Sequence, residues 1–322
     1  MSYHHLSTEE RACIGLYRKE GIGVNKIAQL LGRDKSTISR ELERNGKRNE
    51  PYCPTRAQKQ YEERRRASVC PSKLREGTEL NRKVSELLCI YWSPEQISMT
   101  LDKENGVSTS TIYRAVKSKR IALQYAKCLR RFTFQRGWRK GHKRGSPYKD
   151  AKGIGERPKD VESREEFGHW ELDTVVLRKG EPYRLATMVE RKSRYLVSML
   201  LKDGKAGTMR DAIICAMARY PPEVRKTLTV DRGPEFLGWR EVEEYLAGTQ
   251  VYVADANRPY QRGTNENTNG LIRQFYPKKK YRGTPVLQEI TSMQALLNGR
   301  PRKCLNWRSP VSVFLVALLH LT

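Results

Sequence analysis

The 322-residue sequence lacks several features that mark common classes of protein. Its longest apolar stretch, Val311 to Leu321, is about half the ~20 residues that a membrane-spanning helix needs. The N-terminus has no apolar segment of the signal-peptide type. Seven cysteines form an odd set without a CxxC pair, which argues against a disulfide scaffold and a zinc ribbon. No P-loop or dinucleotide fingerprint is present. These absences predict a cytoplasmic protein with no membrane association and no nucleotide cofactor.

Acidic residues are scarce relative to basic ones. Lys and Arg number 62 against 36 Asp and Glu, a formal charge of +26, which disfavours a small-molecule enzyme and indicates a polyanionic partner. Between Asn105 and Lys149 there is no acid, while thirteen Lys or Arg occur among several aromatic residues. Cations that neutralise phosphates and rings that stack on bases suit a DNA-tracking arm; a solvated interdomain linker is the alternative.

The first fifty residues have the pattern of a helix-turn-helix. Ser7 and Glu10 have capping-box spacing at the start of an amphipathic run, and Gly32 closes a second short helical segment. The third run buries Ile38 and Leu42 and leaves a polar face that could enter the major groove. The residues of that face that we expect to contact DNA are Lys35, Ser36, Thr37, Ser39, Arg40 and Arg44. A three-helix bundle with a solvated face is the alternative.

The same pattern recurs further along the chain. Ser93-Pro94 begins a helix with a cap and an N1 proline, and the S-T-I-x-R string at 36–40 is repeated at 110–114. This second unit predicts DNA contacts from Ser110, Thr111 and Arg114, and therefore a longer or bipartite recognition site.

The second half changes to an α/β pattern. Three strands are followed by helix, strand, helix, strand and helix, which predicts an α/β sheet. Asp173 lies in the first strand, Asp231 ends a later strand, and Glu266 opens a helix in an otherwise basic stretch. Carboxylates are the ligands that Mg²⁺ prefers, and two ions about 4 Å apart can hold both reacting oxygens of a phosphodiester. Glu171 is an alternative first ligand, and Asp255 is interpreted as an Asx-turn cap before Pro259.

Several motifs resemble those of the IS-thirty family of bacterial insertion-sequence transposases. They are GHWELDTV, LTVDRGPEF, VYVADANRPYQRGTNENTNGLIRQFYPKK and LNGRPRKCLNW in the second half, with LSTEERACIGLYRKEGIGVNKIAQLLGRDKSTISREL and SPEQI…STSTIYR in the first. The resemblance covers nearly the whole chain in order. It implies a multidomain protein in which all-α helix-turn-helix units precede a ribonuclease-H-like catalytic domain with a mixed sheet.

The resemblance also implies a function and its residues. The family's DDE triad carries over to Asp173, Asp231 and Glu266, which would bind two Mg²⁺ ions, with Mn²⁺ as a substitute. Further DNA contacts are expected at Arg262, Asn265, Asn269 and Arg273, with Asn265 and Asn269 as positioning groups. The family usually has Asn after the second Asp, whereas this chain has Arg232. The expected partners are double-stranded DNA, as terminal inverted repeats and target, and further copies of the chain, because two DNA ends must be joined.

Two other functions fit parts of the sequence. A helix-turn-helix regulator with a non-catalytic C-terminal half explains the charge and the repeat, but not the isolated Glu266. A structure-specific nuclease would cut DNA without joining it.

Composition and motifs together predict five segments. The first helix-turn-helix covers 1–50, the second covers 51–130, and a basic linker covers 131–165. The catalytic domain covers 166–285, and a basic and apolar tail covers 286–322.

Overall fold

The chain folds around separate cores in two compact units, Met1–Ser72 and Lys73–Thr322. The computed structural model describes residues 4–46, 50–68, 71–101, 106–122, 128–129, 148, 150–177, 180–256, 258–277 and 285–321. The basic arm predicted near 130–147 lies outside these residues. Within them, no helix is both long and apolar enough to cross a bilayer, and the six described cysteines are free.

The first unit consists of four helices. They are α1 (Thr8–Lys19), α2 (Val24–Leu30), α3 (Lys35–Asn45) and α4 (Pro54–Ala67). The predicted capping box is present, since the Ser7 side chain accepts from the Glu10 amide and Glu10 accepts from the Ser7 amide. Gly32, at φ 61°, makes the turn before α3, and Asp34 caps that helix.

Apolar and ionic contacts both fix α3 in this unit. Ile14, Ile27 and Ile38 are fully buried in its core. The Arg11 guanidinium on α1 lies 2.9 Å from the buried Glu41 carboxylate on α3. The opposite face of α3 is solvent-exposed at Lys35, Ser36, Ser39, Arg40 and Arg44, with Thr37 half-buried. The helix-turn-helix predicted here is confirmed.

The second unit begins with another three-helix group. It comprises α5 (Glu79–Cys89), α6 (Pro94–Thr100) and α7 (Thr109–Lys117). Its core includes Leu88, Ile97 and Ile112. Ser110 and Arg114 are exposed on α7, while Thr111 is half-buried. The Ser110 and Thr111 hydroxyls both lie within about 3 Å of the hydroxyl of Ser108, which caps the helix.

A five-stranded mixed sheet forms the centre of this unit. Its strands are β1 (His169–Val176), β2 (Arg184–Glu190), β3 (Leu196–Leu201), β4 (Thr227–Val230) and β5 (Gln250–Val253). The order is β3-β2-β1-β4-β5. The first three strands pair antiparallel, while β4 lies parallel to β1 and to β5. The α/β arrangement with a mixed sheet is therefore as predicted.

Helices cover both faces of the sheet. Successive side chains along a strand point to opposite faces, and apolar side chains occur on both. One face packs against α9 (Ala206–Met217), α10 (Trp239–Tyr245) and α13 (Pro310–Leu319). The other packs against α11 (Gly263–Ile272) and α12 (Leu287–Gly299). A short helix, α8 (Asp160–Ser163), precedes β1. Pro234–Phe236 form a separate 3₁₀ turn before α10.

The boundaries differ from the five predicted segments. α4 packs on α1 and α3, which extends the first unit beyond residue 50 to Ser72. Within residues 151–163, predicted as linker, Lys152 and Gly153 pair with the edge strand β5, where the Val253 amide donates to the Lys152 carbonyl. The predicted tail is part of the sheet-containing unit, since Ile290 and Leu297 of α12 and Phe314 of α13 are buried in its two cores.

The second three-helix group is attached to the C-terminal helices by side-chain contacts. The Tyr91 ring lies 4.6 Å from the Phe275 ring, and the Arg300 guanidinium lies 5.7 Å and 5.4 Å from their centroids. The Gln96 amide donates to the Pro301 carbonyl at 2.6 Å. These contacts join α5–α7 to the sheet domain within one compact unit.

A buried histidine at the start of β1 makes the fold sensitive to acid. His169 is 3% exposed and contacts the Thr227 hydroxyl and the Glu166 carboxylate. Burial lowers the pKa of His169, although the Glu166 carboxylate opposes this effect. A lowered folded-state pKa gives stability that is complete above the unfolded value near 6.5 and is lost as the pH falls through the folded value.

We therefore expect His169→Asn to remove part of the pH dependence of stability. Between pH 7 and pH 5 the wild-type thermal midpoint should fall by more than that of the variant, measured by differential scanning fluorimetry. His320→Asn, at an exposed position, should keep the wild-type profile. Parallel curves for wild type and His169→Asn would contradict the assignment.

Candidate active site

Two of the predicted acids lie side by side at one edge of the sheet. β1 and β4 are adjacent and parallel, with Glu171 paired to Thr229. Continuing this register by two residues places Asp173 opposite Asp231, which directly follows β4. The strand geometry alone therefore brings together two carboxylates that are far apart in the sequence.

A single guanidinium joins these two carboxylates. Arg262 Nη1 lies 3.4 Å from Asp173 Oδ1, and Arg262 Nη2 lies 2.9 Å from Asp231 Oδ2. Arg262 was predicted to contact DNA, but its side chain is only 16% exposed and also donates to the Leu172 carbonyl. In this state it bridges two acids, because neighbouring carboxylates need a positive charge between them.

The pKa of Asp173 is raised mainly because its carboxyl group is buried. The Arg262 charge opposes that effect, while the Asp231 charge adds to it. Burial also raises the pKa of Glu235, with further contributions from the charges of Asp231 and Asp173. Glu235 is a fourth acid of this site that the sequence reasoning did not identify. Its place in LTVDRGPEF, four residues after Asp231, was the available signal.

The third predicted acid lies on the helix that crosses this site. Glu266 is exposed on the first turn of α11. Three residues later, Asn269 Nδ2 donates to Asp173 Oδ2 at 2.7 Å. Residues three apart share one face of a helix, so Glu266 lies on the Asp173 side of α11. The described residues nevertheless contain no group of three acidic, His or Cys side chains already gathered around one point.

The alternative first ligand, Glu171, has a structural role. Its side chain is fully buried. Glu171 Oε1 lies 2.5 Å from Arg191 Nη1, while Oε2 accepts from the amides of Thr264 and Asn265 at 3.1 Å each. A carboxylate at a helix N-terminus satisfies amides that have no intrahelical acceptor and interacts favourably with the helix dipole. Glu171 therefore fixes the start of α11, and its two oxygens are not available to a metal ion.

Three other predicted site residues lie on or directly after α11. Asn265 is fully buried, so the predicted DNA contact from its side chain is corrected. Asn269, also expected to be a positioning group, donates to Asp173. Arg273 is half-buried and donates to the Tyr276 carbonyl, and burial lowers the pKa of its guanidinium.

Arg232 and Asp255, near the site, have partners in neighbouring segments. Arg232, which replaces the family's usual Asn, donates to the Ala254 carbonyl at 3.2 Å. Asp255 pairs with the side chains of Gln261 and Arg258. The amide that an Asx turn at Asp255 would use belongs to residue 257, which lies outside the described residues, so that interpretation stays a prediction.

The side chains at this edge suit an oxygen-seeking cation. Arg262 already places a positive group between Asp173 and Asp231, in the position that a metal ion bound by both carboxylates would take. The Asn269 amide oxygen is buried beside Asp173 and has no hydrogen-bond partner in the described part of the chain. Hard divalent cations prefer such carboxylate and amide oxygens.

The Glu171–Arg191 pair should contribute strongly to stability. We expect Glu171→Gln to lower the free energy of unfolding by about 3 kcal/mol, because it leaves the buried Arg191 charge without its main partner. Asp211→Asn, which removes the acid of an exposed pair with Arg210, should cost about 0–1 kcal/mol. Urea unfolding of both variants measures the difference, and equal losses would contradict the role of the buried pair.

Arg262 should compete with divalent cations for the two acids. We expect Arg262→Gln to destabilise the metal-free protein by about 2 kcal/mol, the usual size for a lost charge-assisted hydrogen bond. Added Mg²⁺ should then raise the thermal midpoint of this variant by more than that of the wild type. Arg258→Gln, which disrupts the pair with Asp255 outside the site, should show no enhanced response. Identical Mg²⁺ responses in all three proteins would exclude competition.

The sequence is similar to those of two domain families and of several known proteins. A helix-turn-helix domain family matches residues 2–45, and an integrase core domain family matches residues 163–259. The chain is 34% identical over 330 residues to the transposase for insertion sequence element IS1086 of Cupriavidus metallidurans, covering 99% of this chain and 97% of that protein. It is 35% identical over 323 residues to transposase InsI for IS30C of Escherichia coli, covering 96% and 83%. The transposase for IS4351 of Bacteroides fragilis is 31% identical, covering 96% and 95%.

Proposed function

Because the chain belongs to the IS30 family of bacterial transposases, we propose that Asp173, Asp231 and Glu266 are its catalytic triad. The protein is a DNA-binding transposase with an integrase catalytic core of ribonuclease-H-like fold. Enzymes with this core depend on divalent metal ions. A helix-turn-helix regulator without activity is not favoured. The observation that supports the triad most directly is that Asp173 and Asp231, on neighbouring parallel strands, share one cationic partner.

The proposed reaction has two steps at the same site. Water attacks a phosphodiester at the end of the element and releases a 3′-hydroxyl. That hydroxyl then attacks a target phosphodiester in line, forming a new P–O bond as the target P–O bond breaks, without a covalent protein–DNA intermediate. Bound divalent ions would lower the pKa of the nucleophile and stabilise charge on the pentacovalent phosphate.

The residues of the chain have distinct tasks in this proposal. Asp173 and Asp231 would hold two ions, with Mg²⁺ the expected metal and Mn²⁺ a substitute, and Glu266 would complete the set from α11. Asn269 orients the Asp173 carboxylate through its 2.7 Å hydrogen bond. Glu171 is a positioning residue, since it caps the helix that carries Glu266 and Asn269.

DNA recognition would come from the exposed faces of α3 and α7. Lys35, Ser36, Ser39, Arg40 and Arg44 are available on α3, and Ser110 and Arg114 on α7. We assign terminal inverted repeats to these helices and target DNA to the catalytic face. Because two ends must be joined, the active form would be a homo-oligomer, acting on bacterial DNA at the nucleoid.

Substitution of the three acids tests the triad. Asp173→Asn, Asp231→Asn and Glu266→Gln should each reduce Mg²⁺-dependent cleavage of repeat DNA by about a thousandfold or more, because several kcal/mol of transition-state stabilisation are lost. Repeat binding, measured by fluorescence anisotropy, should remain within a few-fold of wild type. Glu244→Gln, an exposed acid on α10, should leave cleavage unchanged. Full cleavage by any of the three variants would remove that residue from the triad.

A strand-transfer assay separates the transposase from a nuclease of the same fold. Pre-nicked repeat DNA and a supercoiled target should yield joined products with the wild-type protein. Cleavage without joined products would favour the nuclease.

A further inference from the structure

A second charged site lies on the side of α11 that faces away from Asp173. A cavity of about 190 Å³ is lined by Arg164, Arg194, Arg302 and Cys304 together with residues 263–264 and 267–268 of α11. None of the residues that line it is acidic. It is smaller than the roughly 300–1,000 Å³ of sites for drug-sized ligands, so its size suits a single small anionic group.

The three arginines of this cavity come from separate elements. Arg164 is exposed and follows α8, Arg194 lies in the β2–β3 turn, and Arg302 follows α12. Arg194 Nη1 donates to the Thr264 hydroxyl at 2.8 Å, while its Nε is buried and has no hydrogen-bond acceptor among the described residues. Burial lowers the pKa of Arg194, and the Arg164 charge lowers it further. The fold thus holds like charges together without an acid between them.

One carboxylate acts on this cluster from the protein side. The Glu171 charge raises the pKa of Arg194, but Glu171 itself pairs with Arg191 at 2.5 Å and caps the helix amides. The exposed Arg164 and the buried Nε of Arg194 suit an external anion, and guanidinium forks match the oxygens of a phosphate.

We propose that Arg164, Arg194 and Arg302 form a pocket for one backbone phosphate of the DNA that occupies the active site. The proposal rests on the proposed catalytic site, because the pocket and the triad share one helix. Thr264 contacts the pocket arginine Arg194, and the preceding Arg262 contacts both catalytic aspartates. A phosphate held here would fix the strand relative to Glu266 and Asn269, two and five residues further along α11. Phosphate contacts of this kind position DNA without reading its sequence.

The salt dependence of DNA binding tests the pocket directly. Each neutralised phosphate contributes a slope of about −0.9 to log K against log salt concentration. Arg164→Asn should make the slope for repeat DNA shallower by up to about 0.9, since Arg194 and Arg302 remain beside the phosphate. Asparagine tolerates the left-handed backbone of this position, φ 60°. Arg164→Lys should keep the wild-type slope because it keeps the charge. Arg219→Asn removes the same charge from an exposed position following α9 and should change the slope by much less.

A neutral methylphosphonate placed at successive positions of the repeat DNA should locate the contacted phosphate. At that position the modification should flatten the wild-type slope by about 0.9 and should flatten the Arg164→Asn slope by less. If no position distinguishes the two proteins, or if Arg219→Asn changes the slope as much as Arg164→Asn, the pocket does not bind DNA.

Binding is measured in an Asp231→Asn background, so that cleavage does not alter the DNA. The pocket is then tested even if the triad assignment fails, since that failure would appear as cleavage by Asp231→Asn. A second experiment uses inorganic phosphate in place of DNA. A rise in thermal midpoint with phosphate that is lost in Arg164→Asn, together with unchanged DNA slopes, would assign the pocket to a free anion and overturn the proposal.

Discussion

The geometry of the proposed catalytic site depends on one carboxylate that is completely buried in the fold. Glu171 has no exposed surface, and a buried charge is stable only when it is paired and hydrogen-bonded. Arg191 supplies the counter-charge, and the first amides of α11 supply the hydrogen bonds. The hydrogen bonds from the α11 amides to the Glu171 carboxylate therefore fix α11 against β1. Strand alternation then places Asp173 two residues further along the same face, where Asn269 of the same helix meets it.

This dependence explains which parts of the molecule could be predicted from the sequence. The order of strands and helices follows from apolar periodicity, and the strand ends place Asp231 beside Asp173. Those are local or register-based properties. The acid in the basic stretch, Glu266, was visible because its sign differs from that of its neighbours.

Other assignments required the three-dimensional structure. Glu171 and Asp173 lie on one strand face, so strand alternation cannot tell a helix cap from a candidate metal ligand. The distinction comes from Arg191 and α11, which are 20 and about 93 residues away. Arg262 was expected to contact DNA from the family resemblance, but its partners are two acids 89 and 31 residues distant. The C-terminus was predicted as a basic and apolar tail, whereas the packing of Phe314 against Trp170 and Tyr195 depends on the complete fold.

The helix-turn-helix of the first unit and the three-helix group α5–α7 differ in their attachment, although their sequences share a repeated string. The first has its own core and belongs to a separate compact unit with α4. The second shares a unit with the sheet, through Tyr91, Phe275 and Arg300 on one side and the Gln96–Pro301 hydrogen bond on the other. DNA held by α7 would therefore lie in a fixed frame relative to Asp173 and Asp231. The repeated sequence string therefore does not imply that the two groups are attached to the rest of the protein in the same way.

Charge distribution around α11 gives the helix two chemically distinct sides. On one side, Asp173, Asp231 and Glu235 concentrate negative charge, which Arg262 partly neutralises. On the other, Arg164, Arg194 and Arg302 concentrate positive charge. A polyanionic strand is repelled by the first group unless cations screen it, and attracted by the second. Cations bound at the carboxylates and the arginines nearby would both reduce this repulsion. The arginine side of α11 would therefore compensate electrostatically for the acids that the proposed chemistry requires.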